Sequence, residues 1–193
     1  EENFNGYFGT VSGSDSRNTS QKRYGLSAGK TFYRWEEFDN RFDYVKEPNE
    51  SNRFGWVVEI DPWDPTSTPK KRTALGRFKH ENAAYTLAKD NRVVIYMGDD
   101  QANDYIYKFV SDGKYDAKTP MLNRNLLDTG KLYVAKLGAG DTTGDFMGTG
   151  EWILLDKTLN ATLASNVTFA TQADVLINTR LAADAVGATT MDR

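Results

Sequence analysis

The sequence has no cysteine and only one histidine, His80, among its 193 residues. The lack of cysteine excludes disulfides, zinc ribbons and thiol nucleophiles from this stretch, and a single histidine excludes a multi-histidine zinc or iron site. A metal ion bound here would therefore need mainly oxygen ligands. Carboxylates, backbone carbonyls and water suit hard cations such as calcium, magnesium or ferric iron.

Long apolar runs and a strong charge bias are also missing. No segment approaches the roughly 18 consecutive apolar residues of a membrane-spanning helix, and no part of the chain has the arrangement of a secretory signal peptide. The net charge of −3 comes from acidic and basic residues that are interspersed along the chain, so no basic stripe could follow a phosphate backbone. We expect neither nucleic-acid binding nor a membrane span.

The two ends of the sequence predict a piece of a larger protein. The chain opens on Glu1 with no initiator methionine, and it ends on the loop-like run 191–193 with no capping residues. We expect residues 1–193 to be part of a single domain that is truncated at both ends. The lack of a signal peptide then says nothing about export.

Short apolar runs alternate with turn residues from residue 55 onward. The runs are rich in β-branched and aromatic residues, and most have the length of about four to eight residues that is typical of a strand. They cover residues 56–60, 85–87, 93–97, 105–110, 131–137 and 152–155, and the run 75–78 is also strand-like. Closely spaced short strands are typical of a sandwich, a barrel or the blades of a propeller. The pattern alone leaves these three open.

One helix is predicted near the C-terminus. Thr171 can cap a segment over residues 172–186, with Asp174 at its third position and Gly187 as its stop. The apolar residues of this segment spread around much of the circumference, which predicts a well-buried helix. The first 50 residues, rich in glycine, serine and asparagine, predict loops with one short helix at most.

Carboxylates are concentrated in four short segments, at residues 1–3, 80–82, 98–104 and 191–193. A hard cation needs about six oxygens, and loops at strand ends can gather these from distant parts of a chain. The segments could therefore share a metal site. They could equally be solvated turns, because Gly-Asp-Asp between strands is ordinary turn chemistry.

Individual side chains in these segments differ in what they could do. Glu81 follows the strand-like run, where a buried carboxylate would need a cation or hydrogen-bond donors. The neighbouring His80 is expected to be structural, since a lone histidine beside a strand is more often a hydrogen-bonding group than a catalytic one. Arg193 could bind phosphate through its planar guanidinium. The acidic, glycine-rich segment 138–150 lacks EF-hand spacing and predicts a surface loop.

Several segments resemble, in the same order, those of one protein family. They are EENFNGYF at 1–8, GWVVEIDP at 55–62, ALGRFKHE at 74–81, YMGDD at 96–100, DYIYKF at 104–109, LYVAK at 132–136, GEW at 150–152, NTRLAADAVGAT at 178–189 and MDR at 191–193. In these segments the chain resembles the PhoX-type alkaline phosphatases. Each segment alone is weakly specific, whereas their order over nearly the whole chain is highly specific.

The resemblance implies a mainly β fold, namely part of a large β-propeller with several blades' worth of short antiparallel strands and one helix near the C-terminus. It implies hydrolysis of phosphomonoesters by a cluster of calcium (Ca2+) and ferric iron (Fe3+) in the channel of a monomeric parent protein. It also implies export to the periplasm or the cell exterior by the twin-arginine route. At matching positions Glu1, Glu81 and Asp104 resemble the family's metal ligands, and Arg193 resembles its phosphate-binding arginine.

Further functional residues of the family flank the motifs at both ends of this sequence. A cysteine ligand directly precedes Glu-Glu-Asn in the family, and a Pro-Glu ligand directly follows Met-Asp-Arg. Neither lies within these residues, so we expect the segment to be inactive alone. One alternative is a non-enzymatic calcium-binding propeller or adhesion module whose carboxylates serve stability. Another is a free-standing active domain, which we do not expect.

Overall fold

The main element of the fold is a five-stranded antiparallel sheet in the second half of the chain. The structure, a computed structural model, describes residues 1–140, 142, 144, 145 and 147–191. A two-stranded ribbon, β1 (Val58–Glu59) and β2 (Lys70–Lys71), precedes the sheet. The strands of the sheet are β3 (Ala84–Leu87), β4 (Arg92–Gly98), β5 (Ile106–Lys114), β6 (Gly130–Ala139) and β7 (Gly148–Leu154).

The sheet is a meander in which every strand pairs with its neighbour in sequence. The pairing places Ile95, Phe109 and Leu132 side by side on β4, β5 and β6. Alternate residues of a strand point to the same face of a sheet. This row and the row two residues further along each strand therefore form one apolar face. The strands predicted over 85–87, 93–97, 105–110, 131–137 and 152–155 are confirmed, whereas the run 56–60 contributes only the short β1.

Helical segments are short. The α-helices are α1 (Thr19–Arg23), α2 (Ala161–Ser165), α3 (Gln172–Ile177) and α4 (Thr179–Ala185). Turns of 3-10 helix cover Phe4–Tyr7, Trp35–Glu37, Asn40–Phe42, Glu50–Arg53, Thr73–Leu75 and Pro120–Asn125. The predicted fold class, mainly β with antiparallel strands and a helical segment near the C-terminus, is confirmed. In the described part of the chain no helix is both long enough and apolar enough to span a membrane.

The helix predicted over 172–186 is wrong as a single element, because the structure breaks it at Asn178. Its start is as predicted: the Thr171 hydroxyl accepts a hydrogen bond from the Asp174 N–H, and the Asp174 carboxylate accepts one from the Thr171 N–H. Asn178 then leaves the helical conformation with φ −109° and ψ 43°. Beyond the second helix, Gly187 adopts a left-handed φ of 68°, as expected of a stop.

Groups from other parts of the chain cause this break. The Leu176 carbonyl accepts a hydrogen bond of 3.0 Å from the Arg77 N–H. The Ile177 carbonyl accepts one of 3.3 Å from the Arg77 guanidinium, and the Tyr24 hydroxyl oxygen lies 3.1 Å from it. In an unbroken helix these two carbonyls would bind N–H groups four residues further on. The break therefore comes from tertiary contacts that local periodicity does not contain.

The strand-like run 75–78 is not a strand. Its first residue ends the 3-10 turn Thr73–Leu75, and Gly76 then adopts φ 82°. Phe78 donates its N–H to the Gly55 carbonyl over 3.0 Å, outside any ladder. This segment is apolar because it is buried against the sheet. A short apolar run does not by itself distinguish a strand from a buried irregular segment.

Two apolar clusters lie beneath these elements. The larger one joins the sheet to the C-terminal helices, and each of its fully buried large side chains contributes about 1.5–3 kcal/mol. Its members include Leu75, Phe78, Ile95, Met97, Tyr107, Phe109, Leu132, Val134, Leu163, Phe169, Val175 and Ala182. The smaller one, in the N-terminal part, comprises Phe4, Phe8, Tyr24, Leu26 and Tyr44. Tyr24 connects the two by donating its hydroxyl to the Arg77 carbonyl over 2.7 Å.

Candidate active site

The centre of the candidate site is the loop between β4 and β5, which carries Asp99, Asp100 and Asp104. Its backbone is closed on itself, because the Asp99 N–H donates to the Tyr105 carbonyl over 3.1 Å and the Asp104 N–H donates to the Gln101 carbonyl over 3.1 Å. The loop therefore presents its carboxylates from a fixed backbone at the end of the sheet.

The segment that carries Glu81 is fastened directly to this loop. The Asp99 carboxylate accepts a hydrogen bond from the Lys79 N–H over 3.3 Å, and the Lys79 carbonyl accepts one from the Asp100 N–H over 3.0 Å. The His80 N–H binds the Glu1 carbonyl over 3.2 Å. The loop, the Glu81 segment and the start of the chain thus meet at one place.

The C-terminal segment reaches the same loop. The Met191 N–H donates to the Asp104 carbonyl over 2.8 Å, and the Met191 carbonyl accepts from the Asn103 N–H over 2.9 Å. Asn103 adopts a left-handed φ of 65°, a conformation that asparagine tolerates better than most residues. Arg193, the predicted phosphate ligand, lies outside the described residues.

A cavity of about 220 Å³ opens where these segments meet. It brings two of the predicted metal ligands together, Glu81 and Asp104. The other residues that line it are Gly98, Asp99, Tyr105, Ile106 and Met191. The cavity is thus formed by the end of β4, the start of β5 and the segment that precedes Arg193.

The third predicted ligand, Glu1, does not line this cavity. Its carboxylate accepts hydrogen bonds from the Gly55 N–H at 3.0 Å and the Trp56 N–H at 3.1 Å. The Lys71 ammonium lies 3.0 Å from the same group. The Glu1 carboxylate is therefore held by donors of the chain itself.

Glu2 faces the candidate site instead, although the sequence reasoning did not select it. A hydrogen bond with the Asp100 carboxyl raises the pKa of Glu2, and the negative charges of Asp100 and Glu81 raise it further. Three carboxylates from three segments therefore interact. Positions 1 and 2 are both glutamate and adjacent in the opening motif, so the sequence does not indicate which of them faces the site.

The Asp104 carboxylate is buried and paired with arginine. Arg23 donates to both of its oxygens, at 2.5 and 3.3 Å. Arg23 also binds Asp184, whose carboxylate accepts a third hydrogen bond, of 2.7 Å, from the Tyr105 hydroxyl. Burial together with that bond raises the pKa of Tyr105 to about 12.

His80 is structural in its contacts, as predicted. Its Nε2 lies 2.9 Å from the Gly76 carbonyl and its ring packs 3.7 Å from the Phe78 ring centroid. Burial lowers the pKa of His80 to about 3, so the ring is neutral at physiological pH. Its Nδ1 is buried and has no hydrogen-bond partner among the described residues.

The donors at the site fit a hard cation in kind, since they are carboxylate oxygens, and the mutual repulsion at Glu2 is of the sort that a cation relieves. They do not complete a ligand set. Within residues 1–140, 142, 144, 145 and 147–191, no group of three or more Asp, Glu or His side chains is placed to hold a metal ion. A metal ion at this place would therefore need further ligands.

Comparisons with known proteins identify relatives of the whole chain. The family model described as alkaline phosphatase PhoX matches residues 1–193. A solved structure, Pseudomonas fluorescens PhoX in complex with vanadate, a transition state analogue, is similar with a TM-score of 0.92 and 53% sequence identity. The similarity covers 100% of this chain and 33% of that one, so the chain spans about a third of the length of that relative. No curated protein sequence matches.

Proposed function

The chain belongs to the PhoX alkaline phosphatase family, as its motifs predicted, and from this membership we propose that it forms part of an enzyme that hydrolyses phosphomonoesters. The solved relative with vanadate supports the proposal, because that ligand is described as a transition state analogue. This chain corresponds to about a third of that relative.

One observation carries the proposal within the chain itself. Glu81 and Asp104, far apart in sequence, line one cavity together with Met191, two residues before Arg193. A phosphatase site needs oxygen donors for cations and a cationic group for phosphate in the same place. The meander brings Glu81 and Asp104 to one end of the sheet, and Met191 joins them from a distant part of the chain.

We assign Ca2+ and Fe3+ as the metal ions of the complete site. Glu81 and Asp104 would contribute carboxylate oxygens, with Glu2 and Asp100 beside them, and the family resemblance adds Glu1. Ligands from outside the described residues would complete the coordination. Bound metal ions would supply Lewis acidity toward the phosphoryl oxygens.

Arg193 would bind the phosphate group. A guanidinium presents two parallel N–H groups to two phosphate oxygens, and it stays charged at any pH at which the protein is folded. The anchoring of Met191 to the Asp104 backbone supports this role, because it ties the segment leading to Arg193 to the carboxylate loop.

The setting of the enzyme is proposed on the same basis. The chain would be part of the single β-propeller domain of a larger, monomeric protein, and its meander would supply one of the blades. The protein would act on phosphomonoesters in the periplasm or outside the cell after twin-arginine export. The segment alone would be inactive, since its ligand set is incomplete.

The test uses the full-length protein and p-nitrophenyl phosphate as substrate. We expect Arg193→Ala to lower kcat/KM by about 100-fold or more, the loss typical of removing one charge-stabilising donor. Glu81→Gln should lower activity and calcium content together. Arg92→Ala is the control, because Arg92 pairs with Asp90 at the opposite end of β4. Undiminished turnover by Arg193→Ala would refute the assignment.

The same measurements separate the enzyme from the non-enzymatic alternative. A phosphatase loses its activity when chelators remove the metal ions and regains it with Ca2+ and Fe3+. A calcium-binding or adhesion module would bind Ca2+ and be stabilised by it, yet would hydrolyse no phosphomonoester with any metal ion added.

A further inference from the structure

Two arginines outside the proposed ligand set hold the segments of the candidate site together. Arg180, on α4, and Asp99, in the loop, have side chains with 0% exposed surface. The guanidinium donates to both Asp99 oxygens, from Nε at 2.7 Å and from Nη2 at 2.5 Å. This is the two-pronged geometry in which an arginine fixes the position and the rotation of a carboxylate at once.

Arg180 reaches further than this one carboxylate. Its Nη1 donates to the Gln101 side-chain oxygen at 3.3 Å and to the Arg23 carbonyl at 3.4 Å. Its Nη2 lies 3.6 Å from an Asp104 oxygen. Burial alone would lower the pKa of Arg180, but the bond to Asp99 and the charge of Asp104 raise it, so the group stays cationic.

Arg23 holds the other end of the loop from α1. It binds Asp104 through two nitrogens and Asp184, on α4, through two. Arg180 and Asp184 are four residues apart on α4 and so lie on one face of that helix. The loop is thus clamped at both ends against the same helix face.

The clamped groups are the ones that place the proposed functional side chains. The Asp99 carboxylate binds the Lys79 N–H, two residues before Glu81. The Asp104 backbone binds Met191, two residues before Arg193. A rotation of the Asp99 carboxylate would therefore disturb the segment that carries Glu81, and a displacement of Asp104 would disturb its contact with Met191.

We infer that Arg180 and Arg23 are positioning residues of the proposed metal and phosphate site, an inference that rests on the proposed function. They would contact neither the metal ions nor the substrate. They hold Asp99 and Asp104, and through them the segments that carry Glu81 and Arg193, in the geometry that binds a cation. Partners of this kind behind a ligand shell typically change metal affinity by about 10–100-fold when they are altered.

The test separates geometry from charge with arginine-to-lysine substitutions. Lysine keeps the positive charge but cannot form two parallel bonds to one carboxylate. The full-length protein is stripped of metal and titrated with calcium chloride by calorimetry, for the wild type, Arg180→Lys and Arg23→Lys. Arg92→Lys is the matched control, since Arg92 also pairs with an aspartate, at 2.8 Å, but in the turn at the far end of β4.

We expect Arg180→Lys and Arg23→Lys to weaken calcium binding by about tenfold or more, and Arg92→Lys to bind like the wild type. Thermal unfolding in EDTA is measured alongside. A lowered unfolding midpoint with unchanged calcium affinity would mean that the arginines are merely structural, and would overturn the inference. Arg23, with 21% of its side chain exposed, decides the matter if Arg180→Lys fails to fold.

Failure of the proposed function gives a different result. In that case the wild type itself would neither bind calcium nor hydrolyse a phosphomonoester, before any variant is considered. If the wild type does both and the two lysine variants match it in calcium affinity, the phosphatase assignment stands and the positioning role is refuted.

Discussion

Gly76 is a position at which a single added methyl group should destabilise the packing between the sheet and the C-terminal helices. It adopts φ 82° and ψ 158°, a conformation that residues with a Cβ rarely take. A Cβ there would lie 2.7 Å from Leu132 Cδ2 and 2.9 Å from Thr179 Oγ1. Thr179 cannot retreat easily, because its hydroxyl binds the Arg77 N–H and the Leu176 carbonyl.

The expected loss for Gly76→Ala follows from these contacts. The backbone conformation costs about 1–3 kcal/mol for a residue other than glycine, and overpacking in a close-packed core costs about 1–3 kcal/mol. The lower entropy of the unfolded chain offsets less than about 1 kcal/mol. We therefore expect the free energy of unfolding to fall by about 2–5 kcal/mol, a large part of the total for a typical domain.

Urea unfolding of the full-length protein, followed by tryptophan fluorescence, measures this loss. The control is Gly29→Ala, because a Cβ at Gly29 meets nothing within 4 Å and its φ lies outside the left-handed region. That substitution should leave the midpoint unchanged or raise it slightly. Equal midpoints for the two variants would refute the packing argument.

Two further predictions concern neighbouring features. His80, with its pKa lowered to about 3 by burial, stays neutral in the folded state while the unfolded chain takes up a proton below about pH 6.5. The contribution of His80 to the unfolding free energy therefore falls by about 1.4 kcal/mol per pH unit from pH 6.5 toward pH 3. The variant His80→Gln keeps a donor for the Gly76 carbonyl, and its acid-unfolding curve should lack that slope. Thr171→Ala removes the cap of α3 and should lower the unfolding free energy by about 1 kcal/mol in urea titrations, while an undiminished value would show that the helix start is held by other contacts.

The sequence predicted those parts of the fold that local patterns determine. The strands β4, β5 and β6 follow from short runs of β-branched and aromatic residues bounded by turns, and the start of α3 follows from the Thr171 cap. The break at Asn178 does not, because it is made by the backbone N–H and the guanidinium of Arg77, which approach from a distant part of the chain. Periodicity could not exclude a strand over 75–78, because the burial of these residues is set by the sheet and helices around them.

The candidate site shows the same limit. The acidic segments were found from composition and motif, and two predicted residues, Glu81 and Asp104, do meet in one cavity. The arginines that hold the loop were missed, since nothing near Arg23 in sequence signals its contact with Asp104. The spacing of Arg180 and Asp184 by one helical turn was the one available signal, and it indicates a shared face without indicating what lies against it.

The arginine partners distinguish the buried carboxylates of the site from the more exposed ones. Asp99 and Asp104 are buried, and a buried carboxylate without a partner is strongly destabilising, so each is matched by a guanidinium. Glu2, nearer the surface, has its pKa raised by a hydrogen bond with Asp100 and by the negative charges of Asp100 and Glu81. Among the described residues, the six carboxylates of Glu2, Glu81, Asp99, Asp100, Asp104 and Asp184 outnumber the cations of Arg23, Lys79 and Arg180. On the proposed function, a phosphomonoester dianion would be repelled by this excess of negative charge. Bound cations, together with the proposed Arg193, would therefore offset this repulsion, in addition to any part that the cations play in hydrolysis.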